Sequence, residues 1–192
     1  SYGDGKELSC QLTAEAVSQL LYGIPVNRYV SLDYDVLYAL NSIIGGLKIT
    51  FTEDYTFFNS SYTAGNTVTM NDLQLRTFMT YRSITDIEGA YNRGVRNMIV
   101  LKAMFNQCKD EIAADPTVAL DFMSQLGGYL MTDLDLSEIT FLAQNIGKMN
   151  FTSDTIIRLP GESVMGEQYA EFHPDEQWLH DVAAATFCVP AA

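Results

Sequence analysis

A chain of 192 residues, 47% of them hydrophobic, is long enough to close a sizeable core and short enough to argue for one domain. Five prolines, 18% charged residues and the absence of any low-complexity run or internal repeat exclude a disordered or solenoid protein. The formal net charge of -13 repels phosphate backbones at long range, so general nucleic-acid binding is excluded and any anionic ligand must be held by a local basic patch.

No run of about eighteen apolar residues is present, so no membrane-spanning helix is expected within the chain. Its start, Ser1-Tyr2-Gly3-Asp4-Gly5, has neither an initiator Met nor a charged-then-apolar signal pattern, and the chain reads as trimmed at its N-terminus. Cys10, Cys108 and Cys188 are too few and too widely spaced for a disulfide scaffold or a C-x-x-C metal site. The odd count leaves at least one unpaired within the chain. Buried thiols are the simplest reading, and one disulfide stays open without the sequence choosing the pair.

Leu12, Ala16, Leu20 and Leu21 recur at helical spacing, with Thr13 as N-cap and Gly23 as the stop. Arg28 to Leu32 alternates and is rich in β-formers. Asp33 then opens a helix through Leu37, Leu40 and Ile44 to Gly45-Gly46, and a second strand runs from Leu47 to Thr52. Strand, helix, strand is the βαβ pattern, which implies a sheet covered by helices. Residues 53–68, with the turn Ala64-Gly65-Asn66, read as an excursion or hairpin before a helix capped near Asn71 and carrying Leu75, Phe78 and Met79.

A polar loop from Ser83 to Gly89 precedes a strong helix in which Met98, Leu101, Phe105, Cys108 and Ile112 form an expected core stripe. Further helices are expected from Asp115-Pro116 to Gly127-Gly128 and from Asp135 or Ser137 through Ile139, Leu142 and Ile146. Thr155 to Leu159 reads as a late strand. The tail from His173 to Phe187 reads as a helix with Trp178, Leu179, Val182 and Ala183 inward.

Four of the six arginines, Arg76, Arg82, Arg93 and Arg96, fall between residues 76 and 96, opposed there only by Asp86 and Glu88. Arg93, Arg96 and Asn97 stand at i, i+3 and i+4 near the start of the strong helix, on one surface. At about 100° per residue the two arginines are expected to point away from the Met98, Leu101, Phe105 stripe. Free N–H groups and the helix dipole favour an anion at that end, and guanidinium groups add bidentate donors for phosphate oxygens. Arg82, across the loop, could close the ring. The plain alternative is pairing with surface carboxylates, which abound in so acidic a chain.

Several segments in order resemble the LytR-CpsA-Psr family: Tyr2-Gly3-Asp4-Gly5, Leu21-Tyr22-Gly23-Ile24-Pro25-Val26, Tyr29-Val30-Ser31-Leu32-Asp33, Ile43-Ile44-Gly45-Gly46-Leu47-Lys48-Ile49, and Asn92-Arg93-Gly94-Val95-Arg96-Asn97. The last is similar to the family's "GR..RQ" helix start. The resemblance implies an α/β fold, a three-layer αβα sandwich with a mixed central sheet. Residues 1–192 would form a single such domain lacking its N-terminal strands. It implies that Arg93 and Arg96 grip a lipid carrier's pyrophosphate, that Arg82 is one arginine of an "R.R" element, and that Asn97 stands where the family has glutamine. Thr80 or Ser83 replaces the other "R.R" arginine, Ala90 the usual acid and Asn92 the usual glycine.

The function implied is transfer of glycopolymer, such as teichoic acid or capsule, from a polyprenyl-pyrophosphate carrier to peptidoglycan. It would take place outside the cytoplasmic membrane of a Gram-positive bacterium, in a family also described as transcriptional attenuator-like. Mg2+ is the implied cofactor, with its ligands and a membrane anchor expected upstream of Ser1, so no catalytic residue is assigned within the chain. The eroded positions leave a second reading, an inactive domain that binds anionic lipid or wall polymer. Leu40, Phe78 and Met79 could line a tunnel for the lipid tail, though an apolar helix stripe is ordinarily core. His173 and His180 among acids read as solvated rather than as a metal site, and Asp33 as a helix cap.

Overall fold

A computed structural model describes residues 6–115, 124, 127–145, 148, 151–152 and 158–188. The described elements are α1 (Glu7–Leu20), β1 (Val30–Leu32), α2 (Asp35–Ile43), β2 (Leu47–Thr50), β3 (Thr67–Met70), α3 (Asp72–Thr80), α4 (Gly89–Ala114), β4 (Leu130–Thr132), α5 (Leu136–Asn145), β5 (Gly161–Met165), β6 (Ala170–Pro174) and α6 (Glu176–Phe187). The fold class is therefore mixed α/β, as expected. Two compact units are present, one of Ser1–Leu32, Leu130–Ala143 and Ile157–Ala192, the other of Asp33–Tyr129 and Gln144–Ile156.

In the first unit, α1 begins ahead of the expected cap: the Thr13 hydroxyl bonds back to the Ser9 carbonyl at 2.8 Å instead of capping. Gly23 ends the helical segment as expected, at φ 85°, with its N–H on the Ser18 carbonyl at 2.8 Å. The β1 and β4 strands pair antiparallel with Val30 opposite Thr132, and β5 and β6 pair with Gly161 opposite Pro174. Asp135 accepts from the Glu138 N–H and Glu138 accepts from the Asp135 N–H, each at 2.9 Å, a capping box that starts α5. Asp175 caps α6 through the Trp178 N–H, and α6 buries Leu179 and Ala183.

In the second unit, β2 pairs antiparallel with β3, Leu47 opposite Met70. This corrects the βαβ expectation: β1 and β2 do not form a parallel pair, because the chain after β2 folds back to supply β2's neighbour. Two bonds make that return, Phe51 N–H to Asn66 O at 3.0 Å and Gly65 N–H to Phe51 O at 2.8 Å, with Gly65 at φ 79°. Asn71 caps α3 in a reciprocal box with Gln74. The core gathers Val36, Leu47, Ile49, Phe51, Met70, Leu75, Phe78 and Val100. Phe78 and Met79 are buried within this core and Leu40 packs against it.

The buried face of α4 is Gly89, Arg96, Val100 and Met104; of the expected stripe Met98, Leu101, Phe105, Cys108 and Ile112, Cys108 and Ile112 pack against the core while Leu101 is exposed. Apolar residues occupy more than one face of this long helix, so periodicity alone did not single out the face that is buried in its first half. The helix expected after Pro116 and the strand expected from Thr155 fall outside the described residues over 116–123 and 153–157. The β4, β5 and β6 strands had no counterpart in the sequence reading.

One buried amide ties the second unit together. Asn41, 3% exposed, donates through Nδ2 to the Met70 carbonyl at 3.2 Å and to Asp72 Oδ1 at 2.7 Å, and its Oδ1 accepts from the Leu47 N–H at 2.7 Å. It thereby joins α2 to the start of β2 and the end of β3. Replacing Asn41 with Ala leaves a buried N–H and a buried carbonyl unpaired, and should cost roughly 1–3 kcal/mol in urea unfolding. A loss below about 0.5 kcal/mol, the level of an ordinary surface change, would contradict that role.

Candidate functional site

The candidate site lies where the end of α3, the loop 81–88 and the first turns of α4 meet. Arg96 occupies its inner side at 6% exposure. Its Nε donates to the Phe78 carbonyl at 2.7 Å, Nη1 to the Asn92 carbonyl at 3.1 Å, and Nη2 to the Tyr81 carbonyl. The Phe78 and Tyr81 carbonyls belong to the C-terminal end of α3, where acceptors lack intrahelical donors and the dipole favours a cation. Three rings surround the guanidinium carbon, Phe58 at 5.0 Å and Phe78 and Tyr81 each at 5.9 Å from their centroids.

The expectation that helix geometry keeps both arginines off the core therefore fails for Arg96. Its Cα lies on the buried face of α4, and the open carbonyls of α3 supply the acceptors that a buried guanidinium requires. Burial lowers its pKa from the ordinary arginine value, Tyr55 and Tyr81 raise it, and neighbouring Arg93 lowers it further.

Arg93 is half-buried and Arg82 exposed. Neither forms an ion pair among the described residues, and neither does Arg76. In the loop, Asp86 is engaged with the Glu88 N–H at 2.9 Å and Asn92 Nδ2 at 3.3 Å. The carboxylate-paired alternative thus does not describe these arginines. Asn97 donates through Nδ2 to the Tyr34 hydroxyl at 3.4 Å, and its Oδ1 is buried with no partner among the described residues. Turning this amide over would let Tyr34 donate to Oδ1.

Of the four expected residues, Arg93, Arg96 and Asn97 share the first turns of α4, and Arg82 adjoins the Tyr81 carbonyl that Arg96 holds. Tyr34, Phe58 and Tyr81 were missed. Nothing local in the sequence joins Tyr34 to Asn97, which stand 63 residues apart.

No three His, Cys, Asp or Glu side chains gather to hold a metal ion among the described residues. His173 and His180 are exposed and face Glu171 and Asp181, each at 3.3 Å, the solvated arrangement expected of them. Among the described residues no helix is long and apolar enough to cross a membrane. The first unit holds an open cleft of about 430 Å³ beside α1, and the one cation in its lining, Arg28, is bound to Glu138 at 2.9 Å.

The LytR_cpsA_psr family model matches residues 3–186. The chain belongs to this family. Among solved structures it is similar to Lin1025 from Listeria innocua, at 25% identity and a TM-score of 0.59 over 90% of this chain and 70% of that one. It is also similar to B. subtilis TagU (18%, TM-score 0.66, 96% and 72%) and to TagT bound to LI-WTA (19%, TM-score 0.64, 91% and 64%). No curated protein matches the chain. The LytR_cpsA_psr assignment places the chain in a family of cell-wall glycopolymer transferases and agrees with the mixed α/β fold.

The three cysteines are free: Cys10 and Cys108 half-buried, Cys188 exposed. Burial, with Glu111 adding to it, pushes the Cys108 thiol up to about 11. Because the thiolate is the reactive form, Ellman's reagent near neutral pH should label Cys188 readily and Cys108 only after unfolding, at least about a hundredfold slower. Rapid labelling of Cys108 in the native protein would contradict the burial.

A second measurement separates Arg96 from Arg93. Arg96→Met should lower stability by roughly 1.5–3 kcal/mol, because buried carbonyls lose a charged donor. Arg93→Met, which breaks no bond among the described residues, should stay within about 0.5 kcal/mol of the parent in the same urea titration.

Proposed function

We propose that this chain binds polyprenyl-pyrophosphate-linked glycopolymer and takes part in its transfer to peptidoglycan at the outer face of the cytoplasmic membrane. The observation that carries the reading is that Arg82 and Arg93, which follow the two peptide units held by Arg96, have no carboxylate partner among the described residues in a chain of net charge -13. Leaving cations unpaired in so acidic a protein is explained by an anionic ligand. Family membership and the likeness to TagT, which has been seen bound to wall teichoic acid, give that ligand its class.

In this reading Arg82 and Arg93 grip the pyrophosphate oxygens, and the amide of Asn97, turned by Tyr34, adds a neutral donor. An acceptor hydroxyl on the wall attacks the sugar-linked phosphorus. The bond to the bridging oxygen breaks, polyprenyl phosphate leaves with the electron pair, and the hydroxyl proton passes to solvent or a base. The arginines favour this step by stabilising charge that builds on the leaving phosphate. Mg2+ belongs to the proposal through the family resemblance alone. The second reading, a domain that binds such a polymer without turning it over, is favoured by Ala90 and Asn92, which stand where the family has an acid and a glycine.

Calorimetric titration with geranylgeranyl pyrophosphate tests the site. Arg82→Ala and Arg93→Ala should each weaken binding about ten- to a hundredfold, with affinity falling as salt rises. Binding unchanged in the double variant, or no binding by the parent protein, would overturn the reading. Binding with no transfer to peptidoglycan would select the non-catalytic alternative.

A further inference from the structure

We infer that Arg96 is a positioning residue: it holds the peptide units that lead into Arg82 and Arg93, and so sets the spacing of the two arginines without touching the ligand. The inference rests on the pyrophosphate-binding reading given above. The acceptor of Nη2 is the carbonyl of Tyr81, whose peptide bond continues into Arg82. The acceptor of Nη1 is the carbonyl of Asn92, whose peptide bond continues into Arg93, at 3.1 Å. The third bond, from Nε to Phe78 at 2.7 Å, anchors the same guanidinium to the last full turn of α3. One rigid, planar group therefore fixes both backbone segments from which the outward arginines spring.

Three features oppose direct contact between Arg96 and a ligand. The residue is 6% exposed, three of its five N–H donors are committed to main-chain carbonyls, and Phe58, Phe78 and Tyr81 close around its guanidinium carbon. The loop between the two held carbonyls is itself tightly folded. A Cβ at Gly89 would fall 2.3 Å from the Ser83 carbonyl oxygen, and the Gly89 N–H bonds to the Asp86 carbonyl at 2.9 Å. A shift at Tyr81 is therefore passed to Arg82 rather than absorbed.

Lysine has one ammonium in place of the fork and cannot span carbonyls of two segments in the same way, so Arg96→Lys loosens the brace while keeping the charge. Titration with geranylgeranyl pyrophosphate separates the number of competent sites from the Kd of those sites. In Arg96→Lys, and in Arg96→Met where it folds, Kd should rise at least about fivefold. The same substitution in an Arg82→Ala, Arg93→Ala background should leave the residual Kd unchanged, because the residues it acts through are gone.

A merely structural role would lower the number of sites and leave Kd at the parent value, which would overturn the inference while leaving the proposed function intact. A multiplicative effect, in which Arg96→Lys weakens the double variant as much as it weakens the parent, would make Arg96 a ligand and also overturn it. If the parent protein binds no pyrophosphate, the proposed function fails and this inference falls with it.

Discussion

A buried guanidinium is tolerable only where carbonyls are waiting for it, and Arg96 satisfies that condition with acceptors from two chain segments. The end of α3 has carbonyls without intrahelical donors, the start of α4 supplies the side chain, and aromatic rings fill the remaining space around it. Desolvation opposes the charge, as the lowered pKa reports, yet the group remains a cation at neutral pH because an arginine starts so far above it. The candidate site depends on this junction: Arg82 and Arg93 present their charges from the two peptide units that the guanidinium holds.

The charge pattern gives the junction its meaning. An acidic chain can neutralise surface arginines easily, and Arg28, paired with Glu138 in the first unit, shows how. That bond holds the Glu138 carboxyl below its usual range, as the Ser137 hydroxyl does for Asp135. Both carboxyls therefore lend their stabilisation above their ordinary titration range and lose it as the pH falls into acid. Arg82 and Arg93 form no such bonds among the described residues. The Asp86 carboxylate accepts from the Glu88 N–H and from Asn92 Nδ2 in the turn that leads into α4.

Much of this was legible in the sequence, and the failures have definite causes. The caps at Asn71 and Asp135 and the stop at Gly23 are local chemistry, and the two caps appear as side-chain bonds to the first turn. The ordered family segments led to the correct fold class. The inward face of α4 was misread in the helix's first half because hydrophobic residues lie on adjoining faces, and because arginine is assumed to avoid the core unless its acceptors are known, whereas Cys108 and Ile112 do pack inward. Those acceptors, Phe78 and Tyr81, are 18 and 15 residues away and act through the backbone, which no residue type announces. The antiparallel partner of β1 lies a hundred residues downstream in a three-residue strand, too short to leave a periodic signal.

The same reasoning separates two arginines that look alike in a sequence motif. Arg93 and Arg96 are one turn apart on one helix, yet one is half-buried with no ion pair among the described residues while the other is buried and bonded to three main-chain carbonyls. The most direct measurement is arginine side-chain NMR, following the Nε–H signals while inorganic pyrophosphate is added. The account predicts that the Arg82 and Arg93 signals move with ligand while the Arg96 signal stays in place and exchanges slowly with solvent. Movement of Arg96 in step with added ligand, with Arg82 and Arg93 unperturbed, would contradict it.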